Sequence, residues 1–165
     1  MKRPLETLLL LLVTTFATPA WSYDKALAAS YATLFAPVQG AAAGKALHLM
    51  PPDVFVAKVK AQEPLAVIDI RTPAETAFYS MTLPDSLVIP TNELFTEPSL
   101  DRIPTDKTVV IICASGTRAA AVGTALRHIG FDNVYVLKGG FKSLTAYLGV
   151  TEANAPPAAK AADKQ

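Results

Sequence analysis

The sequence predicts an α/β fold: a five-stranded, mostly parallel sheet with helices on both faces. Three observations carry this. Leu65 to Ile70 and Thr108 to Cys113 are apolar along their length instead of alternating, as strands covered on both faces require. Strand-like runs alternate with helix-length amphipathic segments from residue 46 to residue 150. Apart from Gly123, the prolines and glycines fall at or near the boundaries of those segments.

Taken in order, Ala46 to Met50 reads as a short first strand. Pro51-Pro52-Asp53 then opens a helix whose Val54, Phe55 and Val59 share a face, since proline suits a first helical turn. Leu65 to Ile70 is a buried strand. Pro73 begins the next helix, with Glu75 near the positive end of its dipole. Leu87 to Ile89 forms a third strand between Pro84 and Pro90, and Thr108 to Cys113 a fourth. Thr117 to Ile129 is a helix, Asn133 to Leu137 a fifth strand, and Phe141 to Leu148 a last helix after the Gly139-Gly140 turn.

The 165 residues support one folded domain, placed at 46–150, and neither an internal repeat nor a second domain is visible. Residues 1–22 read as a secretory signal peptide. Lys2 and Arg3 precede an uncharged apolar run from Leu8 to Phe16, and small residues follow up to a cleavage point between Ser22 and Tyr23. That run is too short for a bilayer-spanning helix of about 20 residues, so a periplasmic or secreted protein without stable membrane insertion is expected. Residues 23–45 read as a short helix and a linker. The tail 151–165 is rich in alanine, proline and lysine without bulky apolar residues and is expected to be disordered. The formal charge of +1 vanishes when residues 1–22 are removed, because Lys2, Arg3 and Glu6 go with them. A neutral chain has no field to gather nucleic acid or an anionic membrane.

Ligands of open α/β sheets sit beyond the carboxyl ends of the strands. Two polar groups fall there: Asp69 with Arg71 after the second strand, and the loop Cys113, Ala114, Ser115, Gly116, Thr117, Arg118 after the fourth. Cys113 is the only cysteine, so no internal disulfide can form. A free thiol titrates near pH 8.5, and a thiolate that predominates at neutral pH needs roughly 2.7 kcal/mol in favour of the anion. A helix N-terminus supplies about 0.3–1 kcal/mol, or about 2 in a favourable geometry. The loop N–H groups and the Arg118 guanidinium are the candidates for the remainder. Gly116 permits a positive φ and a close approach, while Ala114 and Ser115 leave space beside the sulfur. A strand-end cysteine alone is usually a buried small hydrophobe; the combined loop argues for an accessible, activated thiolate instead.

The remaining chemistry-bearing residues are read as structural. His48 alternates with Leu47 and Leu49 in the first strand, and His128 closes a helix where an imidazolium suits the dipole. One cysteine and two scattered histidines provide no metal-ligand spacing, and no glycine-rich nucleotide fingerprint is present. No cofactor is expected.

At these residues the chain resembles the rhodanese family of single-domain sulfurtransferases. The resemblance covers roughly Ala46 to Leu148. Val67-Ile68-Asp69-Ile70-Arg71 with Glu75 is similar to the family's Asp-x-Arg segment, Cys113 to Ala119 to its active-site loop, and Val136 to Phe141 to its last strand and turn. It implies a rhodanese-like fold and a ping-pong cycle in which Cys113 takes sulfur from a small donor such as thiosulfate. The sulfur is held as a persulfide and passed to cyanide or a thiol. It also implies that the loop cradles the persulfide, that Arg118 orients loop and donor, and that Asp69 and Arg71 support the loop. An exported protein partner is a further possibility, as in a low-turnover binding module or persulfide carrier. Related arsenate reductases and phosphatases place the arginine one position further from the cysteine; four residues separate Cys113 from Arg118 here, which favours sulfur. The chain departs from the family at Met81-Thr82-Leu83-Pro84-Asp85, where a Gly-His-Ile-Pro-Gly run is frequent. It departs again at Leu144, where a bulky aromatic is common, and at Ala114, where many members carry a basic residue.

Overall fold

In the computed structural model, which describes residues 23–156, the chain runs through helix α1 (Lys25–Phe35), a 3-10 turn (Gly40–Ala42) and α2 (Ala43–Ala46). The domain proper follows as β1 (Leu49–Met50), α3 (Pro52–Lys60), β2 (Leu65–Asp69), α4 (Pro73–Thr76), β3 (Ser86–Val88) and α5 (Glu97–Leu100). It continues through β4 (Thr108–Ile112), α6 (Thr117–His128), β5 (Val134–Leu137), α7 (Gly140–Tyr147) and α8 (Val150–Asn154).

The five strands make one sheet in the order β1-β5-β4-β2-β3, and every pairing is parallel. β2 and β4 lie in the interior of the sheet, with Leu65 opposite Thr108 and Asp69 opposite Ile112. All five residues of β2 are buried, as are all of β4 after Thr108, which is why both read as unbroken apolar runs. On one face, Ile68, Val109, Ile111 and Val136 pack with Ala119, Val122 and Leu126 of α6. On the other, Val67, Val110, Ile112 and Leu137 pack with Phe55 and Val56 of α3 and with Phe141 and Leu144 of α7. Because all strands point the same way, β2 and β4 deliver Asp69 and Cys113 to the same end of the sheet.

Several local expectations change. β1 is only Leu49–Met50, because Ala43–Ala46 is helical and His48 sits in the left-handed region at φ 54°. His48 therefore does not alternate within a strand; its ring stacks on Tyr135 and its Nδ1 lies 3.0 Å from the Val134 carbonyl oxygen. In α3 the buried pair is Phe55 and Val56, while Val54 is 40% exposed. The segment 23–45, read as a helix and linker, folds as α1, the 3-10 turn and most of α2, with no buried residue in any of them. Thr151 to Asn154, expected to begin a disordered tail, instead complete α8, where Glu152 accepts from Lys60 Nζ at 2.7 Å. The signal segment 1–22 and tail residues 157–165 lie outside the described residues. No helix among the described residues is long and apolar enough to cross a membrane.

Candidate functional site

The loop from Cys113 to Arg118 joins the end of β4 to the start of α6, and a second tight turn locks it from behind. Gly116 has φ 86°, and a Cβ there would fall 2.9 Å from the Gly139 nitrogen and 3.3 Å from the Gly140 nitrogen. Gly140, at φ 57°, is more confined still: a Cβ would overlap the Cys113 carbonyl oxygen and lie 2.7 Å from the Gly116 nitrogen. Two backbones thus touch where side chains would separate them. The first turn of α7 needs acceptors for its free N–H groups, and the loop provides them. Phe141 N–H donates to the Cys113 carbonyl at 2.9 Å and Lys142 N–H to the Ala114 carbonyl at 3.0 Å. Gly139-Gly140, read from the sequence as a plain turn, is therefore part of the site's framework.

Within this frame the sulfur of Cys113 accepts from the Gly116 N–H at 3.2 Å and from the Ala119 N–H at 3.4 Å. Both donors lie at the start of α6, so the sulfur meets backbone dipoles aimed at negative charge. The accessibility expected of Cys113 is not observed: it is 0% exposed, and its flank joins Ile111, Ala119 and Val122 in the apolar cluster beneath α6. The small loop residues Ala114, Ser115 and Thr117 are exposed, and the Ser115 and Thr117 hydroxyls lie 3.3 Å apart.

Arg118 is held differently from the sequence expectation, which aims its guanidinium at the loop. Its Nη1 and Nη2 donate to Glu75 Oε2 at 3.0 Å and Oε1 at 2.5 Å. This fork holds the Glu75 carboxyl down at about 2, the Arg118 hydrogen bond being the largest cause. Arg118 is in turn raised, first by Glu75 and to a lesser degree by interaction with the Cys113 side chain. Glu75 is fixed independently by a capping box: the Thr72 N–H donates to Oε2 at 2.9 Å, and the Thr72 hydroxyl accepts from the Glu75 N–H. The guanidinium is anchored by α4 and still within electrostatic reach of the sulfur.

Asp69 and Arg71 form a second ion pair beneath α4. They are 1% and 2% exposed, and Arg71 Nη2 donates to Asp69 Oδ2 at 2.7 Å while its Nε lies 3.0 Å from both carboxylate oxygens. A buried pair needs such saturation, because either charge alone would be costly there. Arg71 also donates to the Tyr79 carbonyl at 2.7 Å and lies over the rings of Phe141, at 3.9 Å, and Tyr79, at 4.7 Å. The connection to the loop is direct: Arg71 packs on Phe141, and Phe141 N–H holds the Cys113 carbonyl.

The structure thus brings Cys113, the loop through Arg118, Asp69 and Arg71 into one assembly at the carboxyl end of the sheet. His48 and His128 stand apart from it. His128 stacks on Tyr31 of α1 at 4.1 Å between centroids. Sequence reasoning places Glu75 at the helix dipole and beside the Asp-x-Arg segment, and Phe141 at the end of the last strand and turn, but does not foresee the fork of Glu75 to Arg118 nor the contacts of Tyr79 and Phe141 with Arg71. The Thr72-to-Glu75 spacing of a capping box is the signal that marks Glu75 as a fixed carboxylate. No group of three or more metal-ligating side chains occurs among the described residues.

Comparison with known proteins places the domain in a family. The family model described as "Rhodanese-like domain" matches residues 52–147. A sulfurtransferase of Allochromatium vinosum is 38% identical over 78 residues, 47% of this chain and 69% of that protein. A probable adenylyltransferase/sulfurtransferase of Mycobacterium tuberculosis is 32% identical over 46% of this chain, but the match spans only 19% of that longer protein. Among solved structures, a rhodanese-related protein from Thermoplasma volcanium superposes with a TM-score of 0.53 at 29% identity, covering 61% of this chain and 93% of its own.

Proposed function

This chain belongs to the rhodanese-like domain family, and on that premise we propose that it is an exported sulfurtransferase working through a persulfide on Cys113. The observation that carries the reading is the pair of N–H donors, from Gly116 and Ala119, on a sulfur at the start of α6. The sulfurtransferase of Allochromatium vinosum supports it from outside the chain.

In the first half-reaction the Cys113 thiolate attacks the outer sulfur of thiosulfate. A new S–S bond forms, the S–S bond of the donor breaks, and sulfite leaves with the bonding pair. In the second, cyanide or a thiolate attacks the outer persulfide sulfur and the Cys113 thiolate leaves. The Cys113 thiolate is the nucleophile of the first half-reaction and the leaving group of the second, so in both its charge lies beside the Gly116 and Ala119 amides, which are already oriented and need no reorganisation. The Arg118 guanidinium, held by Glu75, adds positive charge for an anionic donor. Asp69 and Arg71 keep the loop in register through Phe141. No redox cofactor is required, because each step exchanges one sulfur between nucleophiles.

Thiocyanate formation from thiosulfate and cyanide by the purified protein tests this reading. Activity lost in Cys113→Ser supports it, and activity surviving that substitution overturns it. The complete burial of Cys113 favours a second reading, a carrier that loads sulfur and releases it only to a docked partner. Stoichiometric loading without turnover distinguishes the carrier. Export rests on the basic, apolar and small-residue succession of residues 1–22. N-terminal sequencing of protein from the cell envelope is expected to begin at Tyr23, and protein retained in the cytoplasm with Met1 would refute it.

A further inference from the structure

On the edge of the sheet, between α2, β1 and the end of β5, lies a concavity of about 390 Å³ lined by Lys45, His48, Leu49, Tyr135 and Lys138 among others. Its volume falls within the roughly 300–1,000 Å³ of small-molecule sites. It is far roomier than one inorganic ion needs.

Its charge is one-sided. No carboxylate lines it, and neither Lys45 nor Lys138 forms an ion pair among the described residues. Lys58, Lys60 and Lys107 elsewhere on the surface each hold a carboxylate at 2.6–2.9 Å. Lys45 and Lys138 are both exposed lining residues, so the rim carries two cations and no carboxylate, and a doubly charged anion can meet both.

His48 gives the site a shaped wall. It is one of two non-glycine residues at positive φ among the described residues, a conformation that costs free energy and persists only where the surroundings enforce it. Here they do: the ring stacks on Tyr135 with centroids 4.7 Å apart, and Nδ1 lies 3.0 Å from the Val134 carbonyl oxygen. A carbonyl only accepts, so Nδ1 carries the hydrogen and Nε2 is left as the second nitrogen.

We propose that this concavity is a second binding site, distinct from the Cys113 loop, for a small organic anion carrying at least two acidic groups that bridge Lys45 and Lys138. Burial, the largest cause, lowers the His48 pKa and so disfavours the charged ring when the site is empty. The charged groups around it are Lys45 from α2, Arg127 from α6, Asp132 before β5, and Lys138 after β5; Tyr135 of β5 is the titratable neighbour against its face. An anion tips that balance toward protonation and turns Nε2 into a third donor, so binding takes up a proton and strengthens as pH falls.

Tartrate is the probe, with glycerol as the neutral control, in amide and imidazole NMR titrations of the isotope-labelled full chain at constant ionic strength. Saturable shifts at Lys45, His48, Tyr135 and Lys138 are expected. Tartrate, ionised at both carboxyls throughout this range, should bind several-fold more tightly at about pH 6 than at about pH 8. Lys45→Gln or Lys138→Gln should each weaken it about tenfold, the loss of one cation contact to a carboxylate. Absence of saturation, or an affinity unchanged in both variants, would overturn the proposal. Sulfate binding as tightly as tartrate would overturn the organic class. Thiosulfate-to-cyanide transfer should remain at the wild-type level in both variants, so failure of the sulfur-transfer reading leaves this test intact.

Discussion

Gly140→Ala probes the frame behind the loop more sharply than any change within it. The new Cβ would overlap the Cys113 carbonyl oxygen and stand 2.7 Å from the Gly116 nitrogen and 2.9 Å from the Ala114 carbonyl carbon. Optimal contacts between carbons are about 3.5–4.0 Å. All three obstacles are backbone, so no side chain can swing aside. Holding an alanine at φ 57° costs about 1–2 kcal/mol, and forcing the two backbones apart adds about 1–3 kcal/mol of overpacking. The expected loss is therefore roughly 2–5 kcal/mol, measured by urea unfolding. A displacement on the order of 1 Å at the sulfur should lower transfer about a hundredfold in the fraction that remains folded. Gly130→Ala is the control. Gly130 also has positive φ, at 109°, but nothing lies within 4 Å of its Cβ position, so it should show backbone strain without loss of transfer. If Gly140→Ala unfolds at the same urea concentration as wild type and keeps its transfer rate, the reasoning about this contact is wrong.

Three further outcomes follow from the ion pairs. Glu75→Gln keeps an acceptor for the capping box but removes the charge opposite Arg118. Because the two side chains are 37% and 34% exposed, the stability loss should stay near or below about 1 kcal/mol, while the KM for thiosulfate rises as Arg118 loses its anchor. The pH dependence has a definite sign: with Glu75 held at about 2 instead of 4.5, its contribution is complete above pH 4.5 and fades as pH falls toward 2. The stability gap between wild type and Glu75→Gln should therefore close across that window in acid urea titrations. Asp69→Ala leaves Arg71 as a buried unpaired charge and should cost about 3–5 kcal/mol. Asp69→Leu combined with Arg71→Met should recover most of that stability in the same assay but not the transfer rate, since Tyr79 and Phe141 lose the group that joins them.

The fold was legible where burial acts on both faces of a strand. β2 and β4 contain almost nothing but apolar residues, and no other element accommodates such runs at that length. Ala46 to Met50 reads as one strand because four of its five residues are apolar, whereas Ala46 ends a helix and the backbone turns at His48. α5 was missed because Glu97–Leu100 is a single turn, too short to show a helical period. α8 was missed because composition registers the lack of bulky apolar residues and not the Lys60–Glu152 pair, whose members are 92 positions apart. The site shows the same division. Cys113, Gly116 and Ala119 act over six positions and could be placed from the loop alone. Arg118 and Glu75 are 43 positions apart, and only the parallel packing of β2 beside β4 brings their elements together. The loop pattern alone argues for an accessible sulfur, and its burial follows from Ala119 and Val122 of α6 packing in one cluster with Ile111 and Cys113.

Intact-mass measurement after incubation with thiosulfate and removal of the excess donor tests the central claim most directly. The account predicts a gain of one sulfur atom, mapped to Cys113 by peptide analysis, abolished in Cys113→Ser and discharged by cyanide as thiocyanate. An unchanged mass under all donor concentrations, or sulfur added equally to Cys113→Ser, would contradict it.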